Sequence, residues 1–394
     1  MASTPRFPRS QAAIVGIGCS EYSRDSGVST FALAARAVKA AVADAGLELS
    51  DVDGLCTFGP DDSVAPNYLA PALGIDSMDF YLDHKLGGSI AMSVVGQAAL
   101  AVSAGVADCV VVYRALNGRS APKPRMVPGQ APPSLKAVWD NQFKVPAGLV
   151  AAAQEIAMAA RSHMVRFGTT SEDLGRIAVL SRSNAVDNER AVMRTPMTLD
   201  DYLDSRWVVE PFRLLDCCLV TDGAAAVVIV PTERARDLPH RPVLIRGAAW
   251  GGGFNLVNNG RTDLAESPAF LLAEKLYGAA GLGPSDLDLA ELYDCFTYPV
   301  LSQLEGYGFA EQGGVPAMLA DGAFDRDGGG LPVNTHGGLL SEAYIHSVNH
   351  LYEAVEQIRG DAGVRQVAAH DTALVTGQLG YLSGYSSALV VEGA

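Results

Sequence analysis

Two late stretches of this 394-residue chain set phenols beside carboxyl, thiol and imidazole groups. One is Tyr293-Asp294-Cys295-Phe296, a phenol, a carboxyl and a thiol in succession. The other runs from His336-Gly337-Gly338 to Tyr344 and His346. A phenol, with an unperturbed pKa of about 10, donates a proton or a hydrogen bond as it stands and becomes a general base once its pKa is lowered. These residue types suit proton transfer. Cys19, Cys56, Cys109, Cys217, Cys218 and Cys295 form no C-x-x-C pair, which argues against a zinc or redox motif within the chain. His346 and His350 have the spacing of helical metal ligands, but no H-E-x-x-H and no third ligand accompanies them. The glycine runs Gly251-Gly252-Gly253 and Gly328-Gly329-Gly330 lack the spacing of a phosphate-cradling loop and read as turns.

The rest of the chain must position these groups. Hydrophobic residues make up 48% and charged residues 19%, enough to bury a core and too apolar for a disordered chain. The net charge of −15 excludes a nucleic-acid backbone as the main partner, since phosphate binding demands clustered Lys and Arg. Met1 to Gln11 has no apolar segment of a secretory signal, and the longest apolar runs, such as Ala224 to Pro231, are too short to span a bilayer. With reduced thiols in strand-like runs, a cytoplasmic location is expected.

Apolar runs and helical spacings alternate, as in a mostly parallel sheet covered on both faces. Ala12 to Gly18, Val52 to Phe58 and Cys109 to Tyr113 read as strands; Ser29 to Ala45 and Gly88 to Gly105 read as helices. Residues 115–210 read as an insertion, rich in Pro, Gly and Lys up to Val145, then helical over Ala147 to Arg166, Ser171 to Asn188 and Leu199 to Arg206. An internal repeat organises the whole. Ala45-Gly46-Leu47-Glu48-Leu49-Ser50-Asp51-Val52-Asp53 matches Ala280-Gly281-Leu282-Gly283-Pro284-Ser285-Asp286-Leu287-Asp288, and Gly87-Gly88 matches Gly337-Gly338. Two α/β halves are expected, 1–240 with the insertion and 241–394.

Two such halves, the opening Ala12-Ala13-Ile14-Val15-Gly16-Ile17-Gly18 and the stretch Leu215-Asp216-Cys217-Cys218 to Thr221-Asp222-Gly223-Ala224 resemble the lipid-transfer-protein (sterol-carrier-protein-type) branch of the thiolase superfamily. The resemblance implies a thiolase-like α/β fold of two duplicated halves layered α-β-α-β-α. It also exposes four departures from the thiolase catalytic set. Gly87 stands where the nucleophilic cysteine belongs, and Tyr344 where the G-G-x-x-x-x-G-H-P histidine belongs. Tyr293-Asp294-Cys295-Phe296 replaces N-E-A-F, and Thr376-Gly377-Gln378-Leu379-Gly380 lacks the second cysteine. Acyl transfer through a cysteine needs that thiol and its base. A retro-aldol reaction needs neither.

This combination resembles the steroid side-chain-cleaving aldolases of actinobacterial sterol degradation. The resemblance implies a carbon–carbon lyase that cleaves a 17-hydroxy steroid acyl-CoA to a 17-ketosteroid and propionyl-CoA. Tyr344 and Tyr293 would then share proton transfer and hydroxyl binding. Asp294 would orient or activate one of them, and His336 and, more weakly, His346 would support acid–base work. Lys123, Arg125 and Lys144 in the insertion are candidates for the CoA phosphates. The resemblance further implies a homodimer, with the strand Cys109 to Tyr113 as its edge, and a complex with a zinc-containing OB-fold domain of a hydratase subunit. No cofactor is expected in this chain. Two other readings use the same residues: a non-catalytic acyl-CoA-binding scaffold, and an acyltransferase recruiting Cys295 or Cys218.

Overall fold

Alternate residues of Ala12–Cys19 (β1) face different cores: Ala12 and Ile14 pack into one apolar cluster, Ala13 and Val15 into another. A strand covered on both faces has to be apolar throughout, as this one is. The structure, a computed structural model, describes residues 7–60, 62–121, 144–252, 263–381 and 384–394. Lys123, Arg125 and part of the Gly251-Gly252-Gly253 turn lie outside the described residues.

The main sheet has nine strands: β1, β2 (Gly54–Phe58), β3 (Phe80–His84), β4 (Val110–Asn117), β5 (Asp222–Pro231), β6 (Val243–Gly252), β7 (Leu289–Glu291), β8 (Thr372–Thr376) and β9 (Tyr385–Gly393). Their order is β3-β2-β4-β5-β1-β6-β9-β8-β7. One pairing scheme occurs twice. β1 runs antiparallel to β5, β5 antiparallel to β4, and β4 parallel to β2. Likewise β6 runs antiparallel to β9, β9 antiparallel to β8, and β8 parallel to β7. The two series meet through a short antiparallel seam, Ala13 opposite Leu244 and Ile14 opposite Val243.

The sequence repeat has a physical meaning in this scheme. The Asp51 and Asp286 carboxylates accept the backbone N–H groups of Glu48 and Gly283, at 2.8 and 2.7 Å, and close equivalent turns. Asp53 accepts from the backbone of Asp108 and Cys109, both at 2.8 Å. Asp288 accepts from Asp371 and Thr372, at 2.8 and 2.9 Å. Each pair of aspartates thus ties a turn to the start of the neighbouring parallel strand.

The helices that matter here are α1 (Thr30–Asp44), α2 (Pro66–Leu73), α3 (Ala91–Ser103), α4 (Ala152–Phe167), α5 (Ser171–Val186), α6 (Leu199–Asp204), α7 (Phe270–Ala280), α8 (Thr297–Gly306), α9 (Gly338–Ser341) and α10 (Val348–Arg359). The buried faces of α3 and α10 share one core with the inner faces of both strand series. Helices α1 and α2 cover the outer face of the first series; α4, α5, α7 and α8 cover that of the second. The result is the expected α-β-α-β-α layering. Glycine lets the layers touch: a Cβ on Gly16 or Gly18 would lie 2.2 Å from the α1 backbone.

Four expectations change. The sheet is mixed rather than mostly parallel: five of its pairings are antiparallel and three parallel, because each series folds back on itself through antiparallel neighbours. The strand Cys109 to Tyr113 is interior, because β4 is paired on both sides by β2 and β5; the edge of the first series is β3. The strand leading to Tyr293 ends at Glu291, so Tyr293 to Phe296 form a turn into α8 rather than a strand. The helix opened by Gly337-Gly338 lasts four residues, and a second helix, α10, leads back toward the sheet. Among the described residues, no helix is long and apolar enough to cross a membrane.

Candidate active site

Tyr293 is held from three sides. Its backbone N–H donates to Thr376 Oγ1 at 2.9 Å, and Gln303 of α8 donates from Nε2 to its carbonyl at 2.8 Å. Its ring lies against the backbone at Gly88, in the turn that opens α3, where a Cβ would come within 2.4 Å of the phenol. Tyr344 lies in the segment between α9 and α10, anchored by its backbone N–H to Thr221 Oγ1 at 2.9 Å. The two hydroxyls meet at 3.1 Å. Tyr293 is buried and Tyr344 is partly exposed.

A third group completes the contact. His346 Nε2 lies 3.0 Å from the Tyr344 hydroxyl, and His346 Nδ1 accepts a hydrogen bond from Arg114 Nε at 3.0 Å. Arg114 is fully buried in the middle of β4; its Nη2 donates to Asp62 Oδ1 at 2.6 Å and its Nη1 to the Ala115 carbonyl at 3.0 Å. The Phe58 ring stacks on His346 and lies beneath the guanidinium. His346 and Ser347 have φ of +53° and +72°, left-handed conformations that non-glycine residues adopt at a cost of about 1–3 kcal/mol each. Ser347 Oγ secures the turn by donating to the Thr376 carbonyl at 2.6 Å.

Gly87 stands beside this assembly. A Cβ there would lie 3.6 Å from the His346 ring, so the site has room at residue 87 but no nucleophile in it. The thiols do not replace it. Burial pushes the Cys295 pKa up to about 12, and raises that of Cys218 well above the ordinary thiol value. Both stay protonated and weakly nucleophilic at neutral pH. Burial also raises both phenols, Tyr293 further through its neighbour Tyr344. The Tyr293 hydroxyl and Arg114 pull Tyr344 the other way. Burial, reinforced by Arg114, lowers the His346 pKa well below the ordinary imidazole value.

Asp294 and His336 are placed apart from the tyrosine hydroxyls. The Asp294 carboxylate takes the backbone N–H groups of Leu339 and Leu340, at 2.8 and 3.2 Å, and a contact from His350 Nε2 at 3.0 Å. It caps α9, and Gly338 must be glycine because a Cβ there would lie 2.0 Å from that carboxylate. His336 is fully buried among carboxylates, with Nδ1 2.9 Å from Glu291 and Nε2 3.5 Å from Glu342. Burial alone would lower its pKa, but Glu342 and Glu291 raise it to about 9. Glu291, His336 and His350 bring ligand-type atoms within 4.8 Å of one another. His336, flanked by Glu291 and Glu342, and His350, against Asp294, make this a buried cluster of imidazoles and carboxylates. Lys144 is buried and its ammonium pairs with Glu155 at 2.8 Å.

Sequence reasoning missed Arg114 and Asp62, and ranked His346 below His336. One signal for Arg114 was present. A lone arginine in Val110-Val111-Val112-Tyr113-Arg114-Ala115-Leu116 is a charge in a buried strand, and such a charge needs a partner.

A cavity of about 330 Å³ adjoins the site, lined by Arg24, Arg119, Arg182, Met197, Cys218 and Leu340 among others. Its wall is continuous with the tyrosine turn, since the Cys218 N–H donates to the Cys295 carbonyl at 3.0 Å. A larger cavity of about 530 Å³, bounded by α5 and the loop Asp325 to Gly328, includes none of the residues around the tyrosine pair.

Residues 257–392 match the thiolase C-terminal domain-like family. The chain is 46% identical over 377 residues to a steroid side-chain-cleaving aldolase of Thermomonospora curvata, covering 94% of this chain and 95% of that protein. It is 44% identical over 376 residues to the 17-hydroxy-3-oxo-4-pregnene-20-carboxyl-CoA lyase of Mycobacterium tuberculosis, covering 94% and 97%. The solved Ltp2–ChsH2(DUF35) aldolase superposes with a TM-score of 0.90 at 44% identity, covering 98% of each chain. Human mitochondrial 3-ketoacyl-CoA thiolase superposes with a TM-score of 0.70 at 15% identity, a likeness of fold alone.

Proposed function

The chain belongs to the family of the steroid side-chain-cleaving aldolases, built on the thiolase fold, and from that premise we propose that it cleaves a 17-hydroxy steroid acyl-CoA to a 17-ketosteroid and propionyl-CoA. The observation that carries the reading is the 3.1 Å contact between the Tyr293 and Tyr344 hydroxyls beside Gly87: proton-transfer groups are present where the nucleophile is absent.

In this reaction the substrate hydroxyl gives its proton to one phenol oxygen as that phenol passes its own proton on across the Tyr293–Tyr344 contact, and the hydroxyl oxygen becomes the ketone carbonyl. The bond between the ring carbon and the α-carbon of the thioester breaks, and its electron pair passes into the thioester as an enolate. A proton delivered to the α-carbon then yields propionyl-CoA. Tyr344 and Tyr293 divide the proton transfer and the hydroxyl binding. A phenol facing the thioester oxygen also stabilises the enolate as charge develops there. The cavity beside Cys218 and Leu340 offers apolar wall for the acyl chain, and the guanidiniums of Arg24 and Arg119 offer charge for the CoA phosphates.

Two further parts of the proposal concern assembly. A homodimer would use the free edge of β3, where Tyr81 is exposed. A zinc-containing OB-fold domain of a hydratase subunit would be the partner. That reading is supported by the likeness to the solved Ltp2–ChsH2(DUF35) aldolase. The chain itself would need no cofactor, with the CoA thioester entering as substrate, in a cytoplasmic enzyme.

The test is a product assay. The protein, with and without the zinc-domain partner, is incubated with the 17-hydroxy steroid acyl-CoA, and propionyl-CoA and ketosteroid are followed by mass spectrometry. Cleavage by the wild type with kcat reduced on the order of 10²–10⁴ in Tyr344→Phe and in Tyr293→Phe supports the reading. Tight acyl-CoA binding without cleavage, partner present, would replace it with the scaffold reading.

A further inference from the structure

We propose that Arg114 and His346 are positioning residues that fix the direction of the Tyr344 hydroxyl proton, His346 acting as a permanent N–H donor rather than as an acid or base. The inference rests on the tyrosine-based reading of the site and assigns the groups behind it.

The argument begins at Arg114. A guanidinium has donors and no lone pair to accept with, and it stays protonated in proteins. Its Nε–H points at His346 Nδ1 from 3.0 Å. Nδ1 must therefore be the unprotonated nitrogen. The single ring proton of neutral His346 is left on Nε2, 3.0 Å from the Tyr344 oxygen. His346 donates to Tyr344, and the proton of Tyr344 has to point elsewhere, toward the Tyr293 oxygen at 3.1 Å or a bound substrate. The same N–H stabilises Tyr344 whenever that phenol gives up its proton.

The surroundings make this arrangement rigid. Asp62 holds the far end of the guanidinium at 2.6 Å, and the Phe58 ring packs on both Arg114 and His346. The left-handed backbone at His346 and Ser347 sets the ring against β4. Protonating His346 would place a second positive charge against a buried one. Among the described residues, the charged and titratable groups that touch the ring are Arg114 from β4 and Tyr344 from its own segment. Asp62 acts behind Arg114 and Tyr293 behind Tyr344, while Gly87 in the turn into α3 contributes no side chain. A lowered imidazole pKa agrees with this geometry.

Glutamine separates this role from the alternatives. The carbonyl of a glutamine at residue 346 accepts from Arg114 while its amide donates to Tyr344, yet it carries no titrating proton. In the intact protein with its partner, His346→Gln is expected to keep kcat within about tenfold of wild type and to leave the pH–rate profile superimposable. His346→Leu, compared at equal folded fraction by thermal unfolding, is expected to lose on the order of 10²-fold or more in kcat with a smaller change in KM. Equal loss in Gln and Leu, or a missing limb in the Gln pH profile, would overturn the proposal by making His346 a proton carrier. A second measurement needs no activity. In ¹⁵N-histidine-labelled protein, with seven histidines to assign, His346 is expected to hold the Nε2–H tautomer unchanged from about pH 5.5 to 8.5. An Nδ1–H tautomer, or titration within that range, would overturn the proposal even if the enzyme cleaved its substrate as proposed. A wild type that shows the tautomer but no cleavage would leave the hydrogen-bond assignment standing and remove the function.

Discussion

Gly88 and Tyr293 interlock: a methyl group added at residue 88 would lie 2.4 Å from both the hydroxyl oxygen and a ring carbon of the phenol. The glycine is therefore part of the tyrosine's seat. Gly88→Ala is expected to displace Tyr293 and lower kcat on the order of 10²-fold or more, since small misplacements of a reacting group are costly. Gly87→Ala, whose added Cβ has ordinary contact at 3.6 Å, is expected to fold with wild-type stability. Steady-state kinetics and thermal unfolding of the two variants check the contrast.

Cys295 offers the simplest comparison with thiolase chemistry. Its thiol is buried, accepts a long contact from Gln378 Nε2 at 3.7 Å, and is held protonated by a pKa pushed up to about 12. Cys295→Ala is expected to retain activity within a few fold, and iodoacetamide to leave the wild type active. Loss of turnover with either treatment would return the acyltransferase reading.

Asp294 tests orientation against activation. Its carboxylate caps α9 and meets His350, away from the tyrosine hydroxyls. Asp294→Asn removes a charge from buried donors and is expected to cost about 2–4 kcal/mol of stability, read from denaturant midpoints. The pH dependence of kcat should match wild type. A shifted profile would show that Asp294 tunes a tyrosine.

His336 predicts a pH dependence of stability. Its pKa is raised from 6.5 to about 9 in the folded chain, so it binds its proton more tightly folded than unfolded. That stabilisation is complete below pH 6.5 and is lost as pH rises through about 9. It amounts to an order of 3 kcal/mol, from 1.36 kcal/mol per pKa unit. The wild type minus His336→Asn difference in unfolding free energy is expected to shrink across that window. A difference independent of pH would remove the imidazolium assignment.

Local chemistry made part of this structure readable. The repeat ending in Asp53 and Asp288 was visible because each aspartate serves backbone N–H groups through turn geometry that needs particular residue types. Tyr344 and Tyr293 were visible because they occupy motif positions where a thiolase carries other groups. Sheet order was not visible in the same way. Val110-Val111-Val112 is as apolar as any edge or centre could require, and only the pairing of β2 and β5 on its two sides makes β4 interior. The strand before Tyr293 was overextended because small and apolar residues continue past Glu291 while the ladder stops. Arg114 was hidden for another reason: its partner, His346, is 232 positions away, and a charged side chain in a strand does not reveal what it pairs with.

The seam between the strand series, with only Ala13–Leu244 and Ile14–Val243 in register, has a kinetic meaning. Gly87, Gly88 and Arg114 belong to one side of it, and Tyr293, Tyr344 and His346 to the other. Each side can gather its own local turns and helices early, because those contacts are short in sequence. The site closes only when the two sides dock. Turnover should therefore recover after helical circular dichroism during refolding, and the interval between them times the docking.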